Sequence, residues 1–166
     1  MKEFTVKKPP TLSGYPIHRA VAALAQGAPH LWRDNGDTLT IRTAAPIDAE
    51  GAALPQVQPG ELRLFKLRAC VSSKVRGRHI YPARGDHAAR HAWLGRQGQR
   101  HGFDVVAVHS TSGTATVADQ AGRHFTLDAT DFTGVLKVTD ATAFAAALRT
   151  GVGATGRAFG FSLLSI

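Results

Sequence analysis

The stretch from Phe132 to Ile166, FTGVLKVTDATAFAAALRTGVGATGRAFGFSLLSI, decides how the chain is organised. Its first residues place Phe132, Leu136 and Val138 on one face, which predicts a strand. Ala141 to Arg149 then predicts a short helix, with Phe144 and Leu148 four residues apart on one side. Four glycines (Gly151, Gly153, Gly156 and Gly160) crowd the loop that follows, and AFGFSLLSI predicts a closing strand. Gly151 to Gly156 spell G-x-G-x-x-G, but the dinucleotide fingerprint needs a strand before it and a helix after it. Here the order is reversed, so that reading fails. The loop still suits a phosphate, because glycine lets backbone N–H groups approach without a Cβ in the way, and Arg157 stands beside it. A glycine-rich helix stop without a ligand is the plain alternative.

Upstream of this stretch lies a basic loop, SSKVRGRHIYPARGD, carrying Lys74, Arg76, Arg78 and Arg84, and the domain junction is expected in it. The segment HAARHAWLGRQGQRHG predicts a helix with Trp93 and Leu94 inward and Arg90, Arg96 and Arg100 outward. Two strands follow, FDVVAVHST and RHFTLDA, separated by a glycine-containing stretch. With one frayed or extra strand in its hairpin, residues 76–166 fit a β-α-β-β-α-β order.

The first half fits the same order. Glu3 to Lys8 predicts a strand ended by Pro9 and Pro10. SGYPIHRAVAALAQG predicts a helix with Pro16 in its first turn, Gly27 as its stop, and Ile17, Val21 and Leu24 facing the core. HLW and TLTIRT flank Asn35-Gly36, a strong hairpin signal. Pro46 to Pro59 leaves room for at most a short helix, and Leu62 to Val71 predicts a strand. In that strand Phe65, Leu67, Ala69 and Val71 share one face, while Lys66 and Arg68 project from the other. The expected fold is α+β, with two tandem ferredoxin-like (βαββαβ) domains at residues 1–75 and 76–166.

Composition points to an anionic partner. Among 166 residues, 20 Lys and Arg stand against 12 Asp and Glu, a formal charge of +8 that favours RNA, DNA or a membrane surface. The N-terminus has no apolar signal core, and no run approaches the ~18 apolar residues of a membrane span, so a cytosolic protein is expected. A single cysteine, Cys70, excludes an internal disulfide and a cysteine-based zinc cluster, and its apolar setting predicts a buried, inert thiol.

Chemistry concentrates in the first helix. Tyr15 and His18 are three residues apart and project to neighbouring positions. His18 lies off the Ile17–Val21–Leu24 stripe, with Arg19 next to it. An imidazole that exchanges a proton near neutral pH, a phenol and cations suffice for metal-free RNA cleavage, in which a 2′-OH attacks its own phosphate. An ordinary surface histidine is the competing reading. His87 and His91 have the spacing of a zinc helix, but position 88 is Ala and no third ligand is evident, so a basic helix face is expected instead of a metal site. The Lys74–Arg84 loop reads as a nucleic-acid contact, with Tyr81 available for stacking.

Four stretches, GYPIHRAVAAL, LRLFKLRACVSSK, AWLGRQGQRHGF and the Phe132–Ile166 segment, resemble the CRISPR repeat-processing endoribonucleases of the CasE type, and the chain reads as a shortened member. The resemblance covers most of the chain and is weakest at residues 44–60 and 109–130. It implies two tandem ferredoxin-like domains and metal-independent cleavage of precursor CRISPR RNA at a repeat hairpin. The products would be a 5′-hydroxyl and a 2′,3′-cyclic phosphate. It places the catalytic pair at His18 and Tyr15 and an RNA-contacting loop at Gly151, Gly153 and Gly156, with Arg157 adjoining. Arg19, Lys66, Arg68, Lys74, Arg76 and Arg78 are the further candidates for holding RNA. The implied partners are the repeat hairpin or mature crRNA and other subunits of a Cascade-like complex, with no membrane and no cofactor. A non-catalytic RNA-hairpin-binding subunit is the alternative.

Overall fold

Asn35-Gly36 turns the first hairpin: Gly36 has φ 93°, and the Asp34 side chain accepts from its N–H at 2.9 Å. A computed structural model, describing residues 1–166, builds the first sheet on this turn. Strand β1 (Lys2–Lys7) precedes helix α1 (Tyr15–Leu24), and the hairpin strands are β2 (His30–Asp34) and β3 (Thr38–Thr43). A three-residue strand, β4 (Gly51–Ala53), completes the sheet in the order β2-β3-β1-β4, all antiparallel.

The remaining elements are β5 (Leu62–Ala69), a small hairpin of β6 (Ser73–Val75) and β7 (Arg78–Ile80), helix α2 (His87–His101), β8 (Phe103–Ala118), β9 (His124–Val138), helix α3 (Ala141–Thr150), a 3-10 turn at Arg157–Phe159 and β10 (Leu164–Ser165). The second sheet runs β10-β5-β9-β8. Each sheet has its unit's first strand between its third and last, which is the ferredoxin-like arrangement. The fold is α+β with two such units in tandem.

Several expectations need correction. The strand Leu62–Val71, expected to close the first unit, instead opens the second: β5 pairs with β9 over eight residues and with β10. Sheet membership thus changes between β4 and β5, ahead of the 75/76 junction that the basic loop suggested. The physical reason is the apolar face of β5, where Phe65, Leu67 and Ala69 join Trp93, Phe132, Phe144 and Leu148 in the larger core. No helix forms over Pro46–Pro59. Gly51 sits against the Phe4 ring so closely that a Cβ would come within 2.4 Å of it, and the segment completes the sheet edge instead.

FDVVAVHST, RHFTLDA and FTGVLKVTD, expected as three strands, are two long ones, paired from Phe103↔Val138 to Ala118↔His124 with a bulge between Val105 and Ala107. The closing strand shrinks to Leu164–Ser165, because Gly156 and Gly160 take left-handed conformations around the 3-10 turn. Arg90, expected on the solvent side of α2, is 1% exposed. It pairs with Asp128 and donates to Thr130 Oγ1 (3.0 Å) and the Ala83 carbonyl (2.9 Å), which satisfies a buried charge.

The two sheets meet at the β2 edge. Arg33 of β2 donates to the Leu163 and Lys66 carbonyl oxygens, and Arg42 of β3 donates to the Leu148 carbonyl at the end of α3 (2.5 Å). A smaller core of Ile17, Val21, Trp32, Leu39 and Ile41 holds α1 on the first sheet. No helix is long and apolar enough to cross a membrane.

Candidate active site and nucleic-acid interface

Pro16 begins α1 where a missing N–H costs nothing, and Ile17 and Val21 anchor the helix by burial at 1% and 0% exposure. That anchoring fixes the azimuth of the adjoining positions. Tyr15 and His18 come together as expected, with ring centroids 5.4 Å apart. His18 is half-buried, and its Nδ1 has neither solvent contact nor a hydrogen-bond partner. The ring of His30, from the start of β2, is also near, its centroid 5.9 Å from that of His18. His30 Nδ1 donates to the Ala28 carbonyl at 2.9 Å, which fixes that ring's orientation. Burial, and then the charge of His30, hold the His18 imidazole below its ordinary protonation range.

Arg19 is exposed beside this pair. A cavity of about 610 Å³ lies between the first turns of α1 (Tyr15, Pro16, Arg19) and the tip of the β8–β9 hairpin (Ala118, Asp119, Gly122). Tyr15 and Arg19 line this cavity, and the His18 imidazole stands beside Tyr15 without lining it. The arrangement offers an imidazole able to take a proton, a phenol and a cation close together.

The glycine-rich loop adjoins α1 through the 3-10 turn. Gly151, Gly153 and Gly156 have φ of 83°, 85° and 85°, and each is hemmed in. A Cβ would meet the Ser162 carbonyl oxygen at 2.8 Å from Gly151, the Trp93 ring at 3.2 Å from Gly153 and the Phe161 ring at 2.4 Å from Gly156. Backbone shape and packing therefore account for the three glycines. The N–H groups of Gly153, Ala154 and Thr155 take part in none of the chain's backbone hydrogen bonds, as an anion-cradling loop requires.

Lys74, Gly153 and Arg157, scattered in sequence, line one cavity of about 360 Å³ together with His79, Arg100 and His101. No acidic side chain lines it. Burial, with Arg100 and Arg157 nearby, lowers the His101 imidazole's hold on its proton. Arg76 and Arg78 stand exposed on the β6–β7 hairpin. Lys66 and Arg68 lie elsewhere, on the open face of the second sheet. Arg68 is already held by Asp131 in a two-point ion pair (2.8 and 2.7 Å), which raises its pKa. Cys70 is buried, and burial followed by the Asp128 charge pushes its thiol up to about 11, consistent with an inert group. His87 and His91 do converge, but on the Ser110 hydroxyl (2.8 and 2.9 Å).

Sequence reasoning missed His30, His79, Arg100 and His101 as parts of these sites. His30 carries no local signal, since only strand pairing brings it beside α1. Arg100 and His101 were visible as helix charges, but their convergence with Arg157 depends on the fold.

The family model described as CRISPR associated protein matches residues 10–166. Among solved structures, the chain is similar to Thermus thermophilus Cse3 bound to an RNA representing a pre-cleavage complex, with TM-score 0.79, 22% identity and coverage of 99% of this chain and 98% of that one. It is also similar to a CRISPR endoribonuclease Cse3 bound to 19 nt RNA (TM-score 0.83, 23% identity, 99% of each chain). A third is the CRISPR-associated protein Cas6e from Escherichia coli K-12 (TM-score 0.76, 19% identity, 99% of this chain and 98% of that one). No curated protein matches it in sequence.

Proposed function

Because the chain belongs to the family of CRISPR-associated proteins, we propose that it is an endoribonuclease that cuts precursor CRISPR RNA at a repeat hairpin and stays on the product in a Cascade-like complex. The observation that carries the reading is the His18 environment. A desolvated imidazole flanked by Tyr15 and kept from protonating is poised to accept a proton at neutral pH.

In the proposed reaction His18 takes the proton of the 2′-hydroxyl at the cut site. The 2′-oxygen attacks the adjacent phosphorus, the bond from phosphorus to the 5′-oxygen breaks, and that oxygen takes the proton back from His18, as general acid, and leaves as a 5′-hydroxyl. The other product is a 2′,3′-cyclic phosphate, and no metal ion enters any step. Tyr15 orients the phosphate or its nucleophile, and Arg19 offsets charge that develops on the phosphate oxygens. The acid-free cavity of Lys74, His79, Arg100, His101 and Arg157 supplies a surface for RNA phosphates, supported by the exposed Arg76 and Arg78.

The test is cleavage of a labelled repeat hairpin in excess EDTA by wild type and His18→Ala protein. Cutting by wild type alone, with equal binding by both, is the expected result. Tight binding without cutting by either protein overturns the enzyme reading and leaves an RNA-binding subunit.

A further inference from the structure

We propose that His30 is a positioning residue for the His18 site: its ring, locked by the Ala28 carbonyl and centred 5.9 Å from the His18 ring at a 36° tilt, sets the surroundings in which the catalytic imidazole works. The proposal rests on the catalytic reading of His18.

Three observations carry it. First, the Ala28 carbonyl can only accept, so His30 Nδ1 bears the hydrogen of their 2.9 Å bond, and any second proton goes to Nε2. Protonation therefore converts His30 into a cation without releasing its ring. Second, the two histidine rings are tilted by 36°, and the His18 ring neighbours both His30 (5.9 Å) and Tyr15 (5.4 Å). Third, the Nδ1 of His18 is sealed from water without a partner, so a proton placed there gains no compensating hydrogen bond. The burial and the His30 charge that lower the His18 pKa act in the same direction.

Other charges stand around the pair. Helix α1 carries Tyr15 and Arg19; β2 carries Arg33 and Asp34; β3 carries Arg42, which is paired with Glu3 of β1; α3 carries Arg149; the 3-10 turn carries Arg157; and the β8–β9 tip carries Asp119 paired with Arg123. Of these groups, His30 is the one whose charge bears on the His18 proton. The acids are occupied: Asp34 holds Lys8, and Asp119 holds Arg123. Neither of these carboxylates is paired with His18 or His30.

Function follows from the sign. A general base works only in its free form, and burial followed by the His30 charge disfavours the protonated form of His18. Cutting then persists to lower pH than an isolated histidine would allow.

The experiment follows the His18 imidazole directly by NMR, as a pH titration of the ring nitrogens in wild type, His30→Gln and His30→Lys proteins. Removing the imidazole in His30→Gln should move the His18 midpoint up, and the fixed charge of His30→Lys should keep it low. The acid limb of the cleavage rate should move in parallel, with hairpin binding unchanged. An unmoved His18 midpoint in His30→Gln, or equal midpoints in the two variants, overturns the proposal. A midpoint that moves as expected in a protein that cuts no RNA supports the electrostatic coupling and refutes the catalytic reading instead. A purely structural His30 would lower activity in both variants without displacing the pH profile.

Discussion

Arg90 of α2 and Asp128 of β9 form an ion pair, Nη2 to Oδ1 2.5 Å, with side chains only 2% and 6% exposed. Asp128 also accepts from the Val71 N–H (3.3 Å) and the Thr130 hydroxyl (2.8 Å), so this carboxylate ties the helix, β9 and the end of β5 together. Asp128→Ala strands a buried guanidinium, and a loss of about 3–5 kcal/mol is expected. The double variant Arg90→Met/Asp128→Leu should recover part of that loss, because it leaves no unpaired charge. Urea denaturation of the three proteins measures both effects.

Glycines at two places should respond in opposite directions. Gly160 has φ 81°, and a Cβ there would come within 2.9 Å of the Trp32 ring, so Gly160→Ala should cost about 1–3 kcal/mol. Gly95 is helical with open space around its Cα, and Gly95→Ala should add up to about 1 kcal/mol. Thermal melts of the two variants check this pair.

Salt dependence separates the free cations from the occupied one. Substituting Ala for Lys74, Arg76 or Arg78 should each reduce the slope of log affinity against log salt by about 0.7–0.9, if each meets one RNA phosphate. Arg68→Ala should change it less, since Asp131 already holds that guanidinium. Filter binding of a hairpin RNA across a salt series tests the difference.

Stability should fall on the acid side of neutrality. His18 and His101 both hold protons more weakly when folded than when unfolded. The unfolded chain therefore binds more protons as pH drops below about 6.5, the ordinary histidine value. Their contribution is complete above that pH and is lost as pH falls through the folded values. Urea midpoints should decline between about pH 7.5 and 5.5, with a shallower decline in His18→Gln. A flat profile would contradict the assignment.

Local chemistry in the sequence determined the elements that depend on neighbours a few residues away. Pro16 placed α1, Asn35-Gly36 placed the first hairpin, and the three-residue spacing of Tyr15 and His18 brought their rings together on one helix. The alternation of Phe65, Leu67 and Ala69 set the buried face of β5. Only the tertiary structure decided which sheet that strand joins, because an apolar face does not say which core will cover it. The same limit hid Arg90, whose burial depends on Asp128 thirty-eight residues away. It hid His30 as well, since nothing within the chain around it marks it as a neighbour of His18. The glycine loop shows both levels at once. Its composition declared a glycine-rich loop, but of the rings packed against its glycines only Phe161 is local, while Trp32 and Trp93 come from distant parts of the chain. Periodicity and turn chemistry act over one or two turns of backbone, while charge pairing and site assembly depend on contacts that form only when the sheets come together.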